Sequence, residues 1–495
     1  MISWDYNRYI PRRGHLVCKD YYNDNKGIYS QQKTFLVEPA MLKIVILLPL
    51  ILFCPGVLGL SGCKVIGRVV DCSNLGLLNF PDFKSGIPFP NNIIEVNLQN
   101  NNIRTIPAHA FNGIHPISIN LERNAITTIQ DGAFDAVYTT LKTLKLRNNQ
   151  LSIVPNDIGK LDALTSLDIK DNNFVGYDLD SGSTDHVFRL IGDTLTEFHF
   201  GGGNFYNWPN IALTHFQKLE TLDYEGGHLS FIPYGGFHGF EHTLKKLYIT
   251  KTELRQIPLG LSTLEQLVEF HFDDNSYVGD YGILSQAFAT TTRKTSPLTF
   301  LSLRNDSLTR FPAVLNDLIK LKTLDMGNNK LWYVADDAIN LLLNSSLTSM
   351  GLSGCSLDRI PQALLQLKGL FTLDVSENNI QSIERYDMSN HGNITLLNVS
   401  GNPLAYVSSE ALKNLQNLTT LDLSRTSMTQ IPLAILNLNA LKTINLEGCH
   451  IECTCDLTWI TPTITSRLNF TGTCETIEKR ISLYISDRVP NCPAR

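Results

Sequence analysis

One phrase recurs about fifteen times along this chain: Leu-x-x-Leu-x-Leu-x-x-Asn-x-Leu. Clear copies are Leu141, Leu144, Leu146, Asn149 and Leu151; Leu321, Leu324, Met326, Asn329 and Leu331; and Leu370, Leu373, Val375, Asn378 and Ile380. A period near 24 residues specifies a solenoid, because each unit is too short to bury its apolar edge except against the next. Such a chain grows by stacking and not by enlarging one core. Its function is therefore sought on surfaces.

Each position of the phrase has a physical reason. The third to seventh positions alternate apolar and polar, as a half-buried strand requires, so one short strand per unit builds a parallel sheet on the inner face. The ninth position is usually Asn, whose amide both donates to and accepts from backbone groups of the surrounding turns. The exceptions are Gly203, Gly227, Thr252, Asp306, Cys355, Thr426 and Cys449. The outer half of a unit carries either a proline (Pro107, Pro155, Pro258, Pro312, Pro361, Pro432) or a small residue before Phe (Phe111, Phe134, Phe288). Proline fixes an extended turn and a buried Phe fills the convex side.

A longer period lies underneath. The ninth positions 149, 172, 203, 227 and 252 recur at 252, 275, 306, 329 and 355, so four units were duplicated together. Both copies keep one long unit of 31 residues, Asn172 to Gly203 and Asn275 to Asp306, with openings that read alike (Asn172 to Gly176, Asn275 to Gly279). Insertions in solenoids emerge as loops on one edge, often the binding edge; the alternative is drift in a tolerant loop.

Across 495 residues the charge is close to balanced, with a formal net of −6 and no basic run interleaved with aromatics, which argues against nucleic acid as partner. Met41 precedes an apolar run, Leu42 to Leu60, that reads as a secretory signal cleaved after Gly59. Residues 1–40 are then an upstream misassigned start or a tail. The rival reading makes 42–60 an uncleaved type II anchor, consistent with seven Lys and Arg against four acids in residues 1–43. Leu60-Ser61-Gly62-Cys63 also fits a bacterial lipoprotein box, a reading that would strand Cys72. The expected organisation is 1–40 tail, 41–59 signal or anchor, 60–92 N-terminal cap, 93–451 repeats and 452–495 C-terminal cap.

Cysteines flank the array: Cys63 and Cys72 before it, Cys453, Cys455, Cys474 and Cys492 after it. Solenoid ends expose an apolar edge, and small caps are held by disulfides in an oxidising compartment. With these caps and repeats, residues 63–492 resemble the extracellular leucine-rich repeat family of Slit-like proteins, small proteoglycans and Toll-like ectodomains. The resemblance implies an α/β leucine-rich repeat solenoid, a curved horseshoe with a parallel inner sheet and disulfide caps. It also implies pairing of Cys453 with Cys474 and of Cys455 with Cys492. The Asn-Pro that usually opens the C-terminal cap is replaced by Cys449-His450, and the N-terminal cap has two cysteines where many members have four. Cys355 and Cys449 occupy ninth positions four units apart, ~19 Å at ~4.8 Å per strand, and read as buried free thiols.

Six Asn-x-Ser/Thr acceptors stand at Asn305, Asn344, Asn393, Asn398, Asn417 and Asn469, all in the C-terminal half and in keeping with secretion. Asn398 falls at an outward strand position, where a glycan would obstruct the inner face. No catalytic set, cofactor motif or metal set stands out, and an enzyme is not expected. His238 to His242 matches His-x-x-Glu-His but overlaps the convex Phe device. The outward positions of units five to eight hold His199, Gly201, Asp223, Glu225, Tyr248, Thr250, His271 and Asp273, with Glu197 and Glu269 alongside. The ligand-binding candidates are His199, Asp223, Glu225, Tyr248, His271 and Asp273, an acidic stripe expected to take a protein ligand of basic character. The expected function is secreted recognition of a macromolecule through the concave face and edge loops of the central repeats. The alternatives are a membrane-anchored receptor or adhesion ectodomain and a structural matrix component.

Overall fold

The computed structural model describes residues 14–24, 27–37, 62–83, 93–174, 178–288, 296–388 and 392–492. The signal or anchor expected at 41–59 lies outside them. Within residues 1–40 the strands Gly14–Asp24 and Gly27–Val37 pair as an antiparallel hairpin. That hairpin belongs to one compact unit, and the repeats to another.

The repeats form the leucine-rich repeat solenoid that their period specifies. After an antiparallel first strand, Lys64–Ile66, every strand of one long sheet is parallel, from Val69–Asp71 to Asn469–Thr471. The register keeps the fourth position aligned, as in Leu144, Leu167, Phe198, Leu222 and Leu247. That residue is buried in every unit while its neighbours in the strand reach the open face. The outer side holds few helices. Single 3-10 turns follow Pro155, Pro258, Pro312, Pro361 and Pro432, each at the cap position with φ between −63° and −69°. Proline's fixed φ supplies that extended entry. Phe111 and Phe134 are fully buried and stack at 5.7 Å, so the second device also fills the outer side.

The ninth-position amide ties neighbouring units together. Asn149 donates to Leu121 O and Leu146 O at 3.0 Å and accepts from Ile126 N at 3.0 Å. Asn172, Asn329, Asn378 and Asn402 repeat the arrangement. Cys355 and Cys449 are buried free thiols whose Sγ atoms donate to Met326 O and Leu423 O, the same strand-end carbonyls. Burial pushes the Cys355 thiol up to about 11, which keeps it protonated as a donor. Gly203 and Gly227 break the ladder. A Cβ at Gly227 would stand 3.0 Å from the Tyr224 hydroxyl and 2.9 Å from Phe205 O, so the aromatic core occupies the space of the missing amide. That core runs through Phe198, Phe200, Phe216 and Tyr224, with centroids 4.9–5.1 Å apart.

Three disulfides close the ends: Cys63–Cys72, Cys453–Cys474 and Cys455–Cys492. The first long unit departs from the expected edge loop. It inserts the α-helix Gly182–Ile191, which buries Val187, Phe188 and Ile191; Phe188 packs on Phe198 and Phe216 at 5.5 and 5.3 Å. Its apolar face draws it onto the back of the sheet. The like-sounding openings also diverge, because Phe174 is buried whereas Tyr277 is 61% exposed and Val278 takes the inward place.

Asp306 is the ladder's weak link. It accepts from Asn275 N at 2.9 Å, but its Oδ2 is buried with no partner, and burial raises its pKa well above the ordinary value. A carboxyl that is neutral when folded and charged when unfolded gives stability that is complete below pH ~4 and lost as pH rises toward the folded value. Asp306→Asn supplies the missing donors, so it should stabilise the protein by roughly 1–3 kcal/mol at pH 7 in urea unfolding. The gain should shrink below pH ~4, where Asp306 is neutral in the folded and unfolded chain alike.

Candidate functional site

Two backbone rules set apart the central units. The eighth position takes a left-handed conformation in unit after unit, with φ of 53–61° at Asn100, Asn148, Asp171, Asp274, Asn305 and Asn328, and glycine at Gly202, Gly226 and Gly354. Asn, Asp and Gly tolerate that region best. The seventh-position N–H is then satisfied by the fifth-position side chain two residues earlier. Asp71, Asn97, Asn120, Asp168, Asp325, Asp374, Asn398, Asp422 and Asn445 all accept this bond, at 2.9–3.2 Å. The fifth-position acids of the C-terminal units are thus turn-forming groups.

His199, Asp223, Tyr248 and His271 stand at the same position and make no such bond. Here the strands run longer, Glu197–Phe200, Thr221–Glu225 and Lys246–Thr250, against three residues in most other units. Gly201 permits it: at φ 114° its missing Cβ would lie 2.5 Å from Glu225 O. Side chains used elsewhere to close a turn are therefore free to face outward.

They form two groups. In the first, Lys170 Nζ contacts Asp223 Oδ2 at 2.7 Å and Glu225 Oε2 at 3.1 Å. Arg147 reaches Glu225 Oε2 and Asp171 Oδ2 at 3.0 Å each, Lys251 reaches Glu225 Oε1 at 2.7 Å, and His199 Nδ1 lies 2.9 Å from Asp223 Oδ2. Lys170 has 7% of its side chain exposed, and Asp223 and Glu225 18% each. Burial opposes ionisation of Asp223 and Glu225, but the surrounding donors outweigh it. Asp223 is lowered by His199 and Lys170, and Glu225 falls to about 2 through Lys251, Lys170 and Arg147. Burial likewise opposes the Lys170 charge, and Asp223 outweighs it. The stripe is therefore not the free anionic surface expected from units five to eight. Its cations come from the seventh positions of units three and four and the eighth of unit seven, places legible in the sequence but left out of that reading.

The second group is a short aromatic bar. Tyr248 and His271 face each other in register and stack at 4.4 Å, and Phe300 packs on His271 at 4.7 Å. Glu269 clips it by accepting from Tyr248 Oη at 2.8 Å, with His271 Nε2 at 3.1 Å and Lys246 Nζ at 3.1 Å. Asp273 lies 3.6 Å from His271 Nδ1 and also accepts from Ser302 Oγ and Arg304 N, so it closes the turn of the next unit. Each ring contact adds about 0.5–1.5 kcal/mol beyond area burial. The bar is thus ordered without a ligand. Phe300, a third-position residue one unit beyond the stripe, was missed for the same reason as the cations.

The His238 phrase lies on the outer side as exposed pairs, His238 with Glu241 at 2.6 Å and His242 with Glu265 at 2.9 Å. Among the described residues no group of three potential ligands could hold a metal ion. Five of the glycan acceptors, Asn305, Asn344, Asn393, Asn417 and Asn469, are exposed, and Asn398 is half-buried.

Residues 117–174, 345–404 and 393–451 match the family model described as Leucine rich repeat. Among solved structures, the chain is similar to the crystal structure of the TLR13-ssRNA13 complex, at 18% identity and a TM-score of 0.47, over 84% of this chain and 75% of that one.

Lys170→Met leaves two carboxylates without their shared cation and should cost on the order of 3 kcal/mol in chemical denaturation. Lys251→Met, at an exposed pair, should cost less than about 1 kcal/mol. Burial lowers the His271 pKa, but Asp273 and Glu269 outweigh it and the net shift is upward. Its contribution is complete below its ordinary value of about 6.5 and is lost as pH rises through the raised value. The melting temperature should fall across that window, and His271→Gln should flatten the fall.

Proposed function

We propose that this protein is a secreted leucine-rich repeat protein that binds another macromolecule, a protein, through the inner face of units five to nine. One observation carries the reading. In units five to eight the fifth-position side chains leave the turns, and with the third-position Phe300 they build an ordered outward surface, the bar of Tyr248, His271 and Phe300 beside the Lys170 ion cluster. A pre-ordered aromatic surface loses little conformational entropy on binding, and tyrosine is among the residues that anchor interfaces. The paired carboxylates argue for a partner that reads a patterned surface more than one that is simply basic. The same pairing speaks against nucleic acid, because Arg147, Lys170, Lys251 and Arg304 already contact carboxylates and would have to break those contacts to reach phosphates. No catalytic step is proposed.

Secretion is supported by the cleavable-looking run before Leu60, the disulfides and the sequons. A membrane-anchored ectodomain is the second reading, favoured by the apolar length of 42–60 and the basic excess before it. Sequencing the N-terminus of protein made by secretory cells separates them: Leu60 sinks the anchor, and an intact Met1 sinks secretion.

The binding surface is tested by presenting the chain as a multivalent bait to a panel of secreted and cell-surface ectodomains. For the partner so identified, Tyr248→Ala and Phe300→Ala should each weaken affinity about tenfold or more, with unchanged circular dichroism. Full affinity in both variants rejects this surface.

A further inference from the structure

We infer that Asn398 carries an N-linked glycan that covers the C-terminal part of the inner face, leaving the central units as its open part. The inference rests on the secretion reading and adds a modification that confines its binding site. Six sequons lie between residues 305 and 469, and the sheet register places two on the inner face. Asn398 is the last residue of strand Leu396–Asn398, at the fifth position, opposite Asp374 and Asp422. Asn469 opens the final strand opposite Thr443, at the third position. They are three strands apart in order, and between them run only Thr420–Asp422 and Thr443–Asn445.

The geometry of Asn398 suits the modification. Its Oδ1 accepts the Ser400 N–H at 3.1 Å, the bond made by every turn-forming fifth position, so the acceptor oxygen is occupied and Nδ2 is the free atom. The comparable amides Asn120 and Asn445 spend Nδ2 on Gln99 Oε1 and Asp422 Oδ2, both at 3.1 Å. Neither is followed by Ser or Thr two residues later, whereas Asn398 is. The surrounding floor is low: Gly351, Ser376, Ser400 and Ser424 hold outward positions where units five to nine hold Glu225, Tyr248 and Arg304. Leu396, half-buried on the same strand, is an apolar side chain facing outward in this region, which a covering sugar would shield.

The transfer is chemically complete with a lipid-linked oligosaccharyl pyrophosphate as donor. The Asn398 Nδ2–C1 bond forms as the C1–O bond to pyrophosphate breaks. The lipid pyrophosphate leaves with the electron pair, the amide nitrogen gives up one proton, and nothing is oxidised or reduced.

The test uses the full chain from secretory cells, enzymatically deglycosylated in heavy-oxygen water so that each formerly glycosylated Asn is read as labelled Asp. Labelling of Asn398 together with an exposed acceptor such as Asn344 is the expected result. Labelling of the exposed acceptors without Asn398 overturns this inference and leaves secretion standing. No labelling anywhere overturns both. Covering is read separately with Ser400→Ala, which removes the sequon but keeps the backbone N–H that holds Asn398. Hydroxyl-radical labelling of Leu396 should rise severalfold in that variant, because an N-glycan is bulky. Equal labelling in the two proteins rejects the covering.

Discussion

Everything in the repeat array depends on one buried contact, the ninth-position side chain that bonds the strand ends of two consecutive units at once. A repeat has no core of its own, so its stability is that of its interfaces. The amide satisfies backbone groups that the turn would otherwise bury without partners, which costs about 1–3 kcal/mol each. What may replace Asn follows from that role. Cys355 and Cys449 keep an Sγ donor on the strand-end carbonyl, and Thr426 keeps one through Oγ1 to Leu423 O at 2.8 Å. Asp306 keeps the acceptor and loses the donors. Glycine keeps neither, and at Gly227 the side chains of Phe205 and Tyr224 fill the space.

That substitution of aromatic packing for hydrogen bonding bears on the open face. In most units with an intact ladder, the strand ends after three residues and a fifth-position Asp or Asn caps the N–H two residues on. Where Gly203 and Gly227 break it, the strands lengthen and the fifth position no longer serves the backbone. The glycine breaks coincide with the outward His199 and Asp223, and Tyr248 and His271 follow in the next two units, whose ninth positions are Thr252 and Asn275. The bulky core on one side of the sheet and the outward residues on the other belong to one local departure from the repeat.

The period, the parallel direction of the repeat strands and the burial of the ladder cysteines were legible from spacing alone, because a solenoid turns sequence interval directly into position; the antiparallel Lys64–Ile66 at its start was not. The disulfide partners came from the cap's resemblance to a known family. The charge reading failed for a reason equally tied to the fold. A stripe judged from Asp223, Glu225 and Asp273 reads as acidic. Stacking, however, brings Arg147 and Lys170 alongside from 53 to 78 positions earlier. In a solenoid the partners of a surface charge sit at the same position of other units, so counting along one segment misses them. The first insertion was misjudged because its length was legible and its amphipathic face was not weighed: Val187, Phe188 and Ile191 carry it onto the sheet's back.

The fifth-position acids show why composition along a face is a poor guide to what that face binds. Asp325, Asp374 and Asp422 look like a continuation of the central stripe, yet each has one carboxylate oxygen committed to its own turn. Asp223 is committed to Lys170 and His199 instead. The two kinds of aspartate are identical in a sequence and differ in what a ligand would have to displace. Removing the first opens a turn of the scaffold, whereas exchanging the partners of the second breaks a largely buried ion cluster and leaves the turns in place. Recognition can therefore evolve in units where the backbone no longer needs the fifth-position side chain, which here are units five to eight.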